Sequence, residues 1–525
     1  REIWLGGESV TDVVHHPQFR QTAQAMAHWY DLQFAHPDQL LIKDEETGEP
    51  INISHMIPHS REDLVKRGEG LRLISEQSIG IMGRTPDYMN VTFAGFAGNP
   101  SDWRGPSGSN EQGAQNMVEW QKRLRRNDIS TTHTIVHPVV DKEKDSDFAN
   151  NPVPLHKVGE TKDSIIVRGA RLLATLAPFA DEQTVYPGHP LPPGAPTSYA
   201  VSFTVRMDAP GLIFLCRDSG ARPDANPLDA PFSTRFDEQD AYCIFDDVEI
   251  PKENVWIDGQ VEVYNTVMMP SSWWPNIMQQ TTIRALTKLE FAYALASRMA
   301  EIVNDTREGT IDKLGEILSY VDATRNALDA AVANAKAWPD GNWFPNPRNL
   351  TCMRALLATW MPRVNDILKD IGSHNLLATA SRGQLDDARL RPLIEEFLPG
   401  ANGIGAEERS LIYRMAWDFV GSALGARNEL YEKNYLASVH TNRMAAHMFY
   451  SHEQRALGNQ LVAEGAASPA DVFLTENSPA MAAVEQADLF ADVAADTIKQ
   501  VPAQYRPATG KWTGVAARTT VFAYN

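Results

Sequence analysis

Cysteine is scarce. The 3 cysteines, Cys216, Cys243 and Cys352, are far apart, which excludes a disulfide framework or a thiolate metal site. Positive charge is in deficit: 48 Lys and Arg stand against 67 Asp and Glu, a net charge of −19. Phosphate backbones need basic patches, so no nucleic-acid partner is expected. No apolar run approaches the roughly 20 residues of a membrane helix, and no signal peptide is visible. The expectation is a cytoplasmic protein without a membrane anchor. Several motifs are missing too. No G-x-G-x-x-G follows a strand, since the cluster Gly400–Gly405 lies between helices with the wrong spacing. There is no phosphate loop and no H-E-x-x-H, and His15–His16 lacks a third ligand, so no metal is expected. Gly105-Pro106-Ser107-Gly108 lacks the register of a hydrolase elbow.

What is present is an ordinary globular composition, 43% apolar and 22% charged over 525 residues, enough for two or three domains. Residues 1–129 read as mainly helical, with apolar residues at helical spacing in Phe19–Phe34 and Ser60–Gln77. Ser109-Asn110-Glu111-Gln112 matches a capping box and predicts a helix running to the basic stretch Lys122–Arg126. From 130 to 260 the period changes to short β-branched and aromatic runs: Thr131–Val136, Ile165–Val167, Tyr199–Val205, Leu212–Cys216 and Ala241–Val248. These predict an antiparallel β domain. From 261 to 525 helices return, with a small-residue stripe at Ala285, Leu289, Ala292, Ala296 and Ala300, a long helix over Ala406–Tyr435, and a tail. The fold class expected is mainly α with a central β domain.

Within the first region, Gly83-Arg84-Thr85-Pro86-Asp87-Tyr88-Met89-Asn90 is the most informative stretch. Pro86 fixes its own φ and keeps Thr85 out of the helical region, and Asp87 can open a helix with Tyr88 in its first turn. The corner therefore presents a permanent cation and a phenol hydroxyl about one turn apart. An Arg–Asp surface pair on a capped corner would explain the same residues. Further motifs follow in order: Thr132-His133-Thr134 leading to His137-Pro138, Arg171–Asp181 with Thr175, Asp208–Gly211, and Glu408–Ser422 followed by Leu430-Tyr431-Glu432.

Together these motifs resemble the oxygenase component of two-component, reduced-flavin-dependent phenol hydroxylases, the 4-hydroxyphenylacetate 3-monooxygenase family. The resemblance implies an acyl-CoA dehydrogenase-like fold: an N-terminal helical domain, a middle antiparallel β-barrel and a C-terminal four-helix bundle, assembled as a homotetramer. It implies that Arg84, Tyr88 and His133 converge on the substrate's phenol oxygen. Arg84 would stabilise the phenolate, His133 would take the proton, and Tyr88 would orient the oxygen. His133 also reads as a satisfied strand histidine. Flavin contacts fall on Val139, Val140, Asp141 and Lys142, on Thr175, and on Ala437, Ser438, Val439 and His440. Gln280 and Arg284 reach the flavin diphosphate or are bundle-surface polar residues. The first of these segments departs from the family's Asn/Asp-Pro-Gln-x-Asp-Arg, so Val139 can offer backbone only. The proline-rich loop from Tyr186 to Ser198 corresponds to a lid, with Gly188 and His189 at substrate-contacting positions.

The implied reaction is ortho-hydroxylation of a phenol, free or carrier-bound, through a flavin C4a-hydroperoxide formed from FADH2 and oxygen. A separate NAD(P)H-dependent reductase would supply the FADH2. A dehalogenating or denitrating phenol monooxygenase of the same family is the alternative, with a 4-hydroxybutyryl-CoA dehydratase-like protein behind it.

Overall fold

The computed structural model describes the chain apart from 144–146, 149–150, 223, 269–270, 436, 465–471, 476–477, 503–505, 517–519 and 525. At 451–461, 464, 472–475, 478–480, 513–516 and 520–524 only the backbone is described. The first helix, Arg20–Ala35, buries Met26, Trp29, Leu32 and Gln33, the spacing of one helical face. Ser60 caps Arg61–Glu76 by accepting the Asp63 amide. Pro86 stands in the first turn of Pro86–Gly98, where its missing N–H costs nothing. The next helix, Glu111–Arg126, departs from the capping-box expectation. Asn110, not Ser109, is its N-cap, and no side chain caps it. The Asn110 amide instead donates to the carbonyls of Trp103 (2.8 Å) and Trp256 (2.9 Å), so a tertiary bond outcompetes the local one.

Two of the sheets build the β region. One is six-stranded, in the order Glu8–Ser9, Glu2–Leu5, Leu212–Cys216, Asp240–Pro251, Ser164–Thr175, His156–Glu160. The other is four-stranded, in the order Val255–Asp258, Val201–Arg206, Glu182–Val185, Thr131–Thr134. Ile3, Leu5, Val167, Phe203, Phe214 and Phe245 share one buried cluster. Two expectations need correction. The chain opens with strand, because Glu2–Leu5 pairs parallel with Leu212–Cys216 and joins the later sheet. The pairing is not wholly antiparallel, since Thr131–Thr134 also runs parallel to Glu182–Val185. Among the described residues the two ladders do not close into a barrel. Two isolated bridges, Val136 to Leu172 and Pro154 to Ala170, tie neighbouring segments to the Ser164–Thr175 strand.

Helices Trp273–Ile302, Glu308–Ala333, Pro347–Gly372, Ala406–Val420 and Ala423–Asn434 pack against one another. Ala285, Leu289, Ala292, Ala296 and Ala300 are all buried along the first of them. The single helix expected over 406–435 is broken at Gly421–Ser422. A Cβ on Gly421 would lie 2.4 Å from the Trp417 ring, and the Ser422 hydroxyl caps the new helix at the Gly425 amide. None of the described helices is long and apolar enough to cross a membrane.

The chain divides into two compact units, Arg1–Ser438 and Val439–Asn525. The second holds the helix Val439–Glu464, a three-stranded sheet and a small cluster of Met481, Val484 and Phe490.

Candidate active site

The Thr85-Pro86 turn places Arg84 just before the Pro86–Gly98 helix and Tyr88 in its first turn. The Arg84 guanidinium lies 4.0 Å from the centre of the Tyr88 ring, in cation–π range. Tyr88 stacks on His133 (5.4 Å, 28°), and His133 stacks on Tyr186 (5.5 Å, 20°). His133 comes from the Thr131–Thr134 strand. Tyr186 comes from just beyond Glu182–Val185, with which that strand pairs in parallel register, His133 opposite Thr184. All four side chains are buried. The structure thus brings Arg84, Tyr88 and His133 into one column and adds Tyr186.

The electrostatics of the column follow from its burial. Burial, reinforced by the Arg84 charge, pushes His133 well below the ordinary imidazole range, so it is neutral. Burial and neighbouring Tyr88 raise Tyr186 well above the usual phenol value. Burial opposes the Arg84 cation, but Tyr431, Tyr88 and Glu238 outweigh it and raise its pKa. The Tyr186 side chain is fully enclosed, with Tyr88 as its polar neighbour.

A second tier comes from the Ala423–Asn434 helix. The Tyr431 hydroxyl accepts a hydrogen bond from Arg84 Nη1 (2.7 Å), and its ring stacks on Tyr435 (4.6 Å, 13°). Arg427 makes two hydrogen bonds to Asp240, each 2.8 Å, and one to Glu238 (2.9 Å). Glu238 in turn accepts the Arg84 backbone N–H at 2.5 Å. Thr175 ends the long Ser164–Thr175 strand; its hydroxyl donates to Asp240 (2.9 Å) and its carbonyl accepts from Thr132 (2.6 Å). The network therefore links Thr175, through Asp240 and Arg427, to the Arg84 corner.

The other residues singled out in the sequence are placed as follows. Gln280 and Arg284 are not on a helix surface, because both are buried. Gln280 donates to Asp87 (2.8 Å), and Arg284 forms paired bonds to Glu432 (2.8 and 2.9 Å), which Lys288 also reaches (3.0 Å). Burial raises Asp87 to about 6 against the Thr85 and Gln280 hydrogen bonds. Val139, Val140 and Lys142 are exposed and Asp141 is half-buried. A Cβ at Gly188 would lie 2.4 Å from the Ile135 carbonyl oxygen, so only glycine fits there, and His189 is exposed. Ala437, at φ 70°, and Ser438 end the first unit, whereas Val439 and His440 open the first helix of the second.

Tyr186, Tyr431, Arg427 and Asp240 belong to this arrangement but were not marked as site residues by sequence. The parallel pairing that carries Tyr186 beside His133 leaves no local pattern. The Gln239 side-chain amide, next to Asp240, is buried with neither its donor nor its acceptor paired among the described residues, while the Gln239 backbone carbonyl accepts the Leu176 backbone N–H (2.6 Å). Unpaired polar groups in a closed interior are costly. Here they fit a polar heteroaromatic ring such as the isoalloxazine of a flavin.

Comparison with known proteins identifies the family of the chain. Two family models match, 4-hydroxyphenylacetate 3-hydroxylase N terminal over residues 1–257 and the corresponding C terminal over 265–480. The 4-hydroxyphenylacetate 3-monooxygenase oxygenase component of Thermus thermophilus is 35% identical over 433 residues, 82% of this chain and 88% of that protein. The oxygenase component of 4-nitrophenol 2-monooxygenase from Rhodococcus is 30% identical, covering 83% of each chain. A (3S)-3-amino-3-(3-chloro-4-hydroxyphenyl)propanoyl-[peptidyl-carrier protein] monooxygenase of Streptomyces globisporus is 31% identical over 85% of this chain and 84% of that protein. Among solved structures, the oxygenase component of 4-hydroxyphenylacetate 3-monooxygenase complexed with FAD and 4-hydroxyphenylacetate matches at TM-score 0.82 and 32% identity, covering 88% of this chain and 96% of that one. An archaeal 4-hydroxybutyryl-CoA dehydratase from N. maritimus shares the fold at 17% identity and TM-score 0.77, over 92% and 95% of the two chains. With both halves matched and the Arg84–Tyr88–His133 column assembled, the chain belongs to the 4-hydroxyphenylacetate 3-hydroxylase family.

Proposed function

We propose that this protein is the oxygenase component of a two-component monooxygenase that hydroxylates a phenol ortho to its hydroxyl group. The observation that carries the reading is the enclosed Arg84–Tyr88–His133–Tyr186 column. A phenol oxygen entering it meets a fixed cation and a neutral imidazole. Arg84 stabilises negative charge on that oxygen, which enriches the ortho carbon in electron density. His133, kept neutral by burial and by Arg84, accepts the phenol's hydrogen bond; a second cation beside Arg84 would be disfavoured until the phenolate forms. The Tyr88 and Tyr186 hydroxyls orient the substrate oxygen. The loop from Tyr186 to Ser198 excludes water, with Gly188 and His189 on the substrate side.

For the flavin, the fitting residues are Thr175 and Gln239, with Val139–Lys142 and Ala437–Ser438 offering backbone groups. Gln280 and Arg284 act through Asp87 and Glu432, which they hold. FAD, bound in its reduced form, would supply the two electrons that activate molecular oxygen for transfer of one of its atoms to the ring. A separate NAD(P)H-dependent reductase delivers FADH2 in the cytoplasm. The arrangement is a homotetramer of the acyl-CoA dehydrogenase kind, with 1–129, 130–260 and 261–525 as its domains, a two-sheet middle and a four-helix bundle. The substrate is a phenol, free or carrier-held, of the class that the relatives' names describe.

The test supplies FADH2 from an NADH-driven flavin reductase under ¹⁸O₂, with 4-hydroxyphenylacetate, 4-nitrophenol and tyrosine-derived phenols as substrates. The expected product is a catechol carrying one labelled oxygen. Oxidation of FADH2 with no labelled product from any phenol would overturn the reading.

A further inference from the structure

Tyr431 lies 347 residues from Arg84 in sequence, yet its hydroxyl accepts the Arg84 Nη1 hydrogen bond at 2.7 Å. Three further observations show that this contact is built in. A Cβ on Gly83 would lie 2.0 Å from the Tyr431 hydroxyl oxygen, so the chain next to Arg84 is bare where that oxygen enters. The Tyr431 ring is held from one side by Tyr435 and from others by the Arg427 and Arg284 guanidiniums, at 4.8 and 5.6 Å. Arg427 is itself clamped by Asp240 and Glu238, and Glu238 accepts the Arg84 N–H. Arg84 Nη1 otherwise reaches only the Gly83 carbonyl (3.3 Å), and among the described residues its Nε and Nη2 make no hydrogen bond.

We propose that Tyr431 is a positioning residue: its hydroxyl holds one arm of the Arg84 guanidinium, so that the remaining N–H groups face the incoming phenol oxygen. A long cationic side chain loses much rotamer freedom when fixed, and a neutral hydroxyl fixes it without neutralising its charge, as a carboxylate would. This rests on the reading of Arg84 as the group that meets the phenol oxygen.

The experiment uses 4-nitrophenol, whose phenolate absorbs visible light, bound to the full protein loaded with oxidised FAD. The ionisation of the bound probe is read by difference spectra against pH. In the wild type the probe ionises at lower pH than in water, and Arg84→Ala abolishes the shift. Tyr431→Phe keeps the ring and its stacking and removes only the hydroxyl. It is expected to weaken ionisation of the bound probe by about tenfold, the size of one hydrogen bond to a charged group. FAD affinity and the thermal midpoint should stay at wild-type values. If Tyr431→Phe ionises the probe as the wild type does while Arg84→Ala does not, the positioning role is overturned and the Arg84 reading stands. If Arg84→Ala also behaves as wild type, both fall. Should Tyr431→Phe fail to fold, Gly83→Ala, which displaces the hydroxyl from the other side, decides by the same criterion.

Discussion

Arg84 and Arg284 are both buried, and both sit over the same two rings. Arg84 lies 5.4 and 5.3 Å from the centres of Tyr431 and Tyr435, and Arg284 lies 5.6 and 5.2 Å from them. Their partners differ in kind. Arg284 is met in parallel by the Glu432 carboxylate, and its Nη1 also donates to the Gly80 carbonyl (2.8 Å). Among the described residues no carboxylate is in ion-pair range of the Arg84 guanidinium, whose neighbours are phenol rings, one hydroxyl and a carbonyl. A buried cation closed by a carboxylate is a structural tie. One whose guanidinium is hydrogen-bonded only by neutral groups keeps its N–H groups for an oxyanion that has yet to arrive.

The contrast breaks most visibly at Glu432. Burial alone would raise this carboxylate, but Arg284 and Lys288 pull it down to about 2. Glu432→Ala leaves two buried cations uncompensated and should cost about 3–5 kcal/mol in urea unfolding. Arg84→Ala removes no partner of a buried carboxylate and should cost clearly less stability. It should nevertheless lower turnover by roughly 10²–10³, the range for losing one preorganised electrostatic group. Equal destabilisation by the two variants, with turnover preserved in Arg84→Ala, would erase the distinction.

Asp87 sharpens the same point. It is the buried carboxylate of the Arg84 corner, yet it is paired with Gln280 rather than with an arginine, and its pKa rises from 3.8 to about 6. A folded pKa above the unfolded one means that folding binds the proton more tightly. The stabilisation is therefore complete below about pH 4 and is lost as pH rises through about 6. His133 acts in the opposite sense: neutral when folded, it contributes stability above its ordinary value of 6.5 that is lost as pH falls. Asp87→Asn should cancel only the first slope. It should gain about 2–3 kcal/mol over the wild type at pH 8 and little at pH 4, measured as the difference between two unfolding curves at each pH. A gain independent of pH would place the Asp87 charge elsewhere.

What could be read from sequence divides along the same line between local and distant causes. Arg20–Ala35 and Arg61–Glu76 lay within two residues of their expected spans because apolar spacing and the Ser60 cap act within one turn. The Arg84–Tyr88 corner was legible for the same reason, Pro86 setting it locally. The Glu2–Leu5 strand was not, because four residues show no period and its partner lies some 200 residues on. Ser109 matched a cap in pattern, but Asn110 was drawn to the Trp103 and Trp256 carbonyls instead. Tyr186 and Tyr431 were quoted within motifs but not as site residues, since only parallel pairing and helix packing bring them to His133 and Arg84. Gln280 and Arg284 read equally well as exposed residues because the carboxylates that satisfy them, Asp87 and Glu432, are nearly 200 and 150 residues away.

The smallest expected effect falls on the helix that serves both arginines. Ala423–Asn434 carries Tyr431 toward Arg84 and Glu432 toward Arg284, and its first turn is held by the Ser422 hydroxyl at the Gly425 amide (3.1 Å). Ser422→Ala removes that cap and should cost about 1 kcal/mol in unfolding. The two sides need not feel it alike. Glu432 remains tied by Arg284 and Lys288, a cluster with its own strong restoring force, whereas Tyr431 reaches Arg84 through a single hydrogen bond. Arg427, in the turn between the cap and Tyr431, is clamped by Asp240 and Glu238 and should absorb most of the fraying. Turnover is therefore expected to fall by no more than about threefold, in step with roughly half a kilocalorie lost at the Arg84 contact. A loss above tenfold with the same modest change in unfolding would mean that the Arg427 clamp does not insulate Tyr431. The hydroxyl contact, rather than the ion cluster, would then be the soft end of the helix.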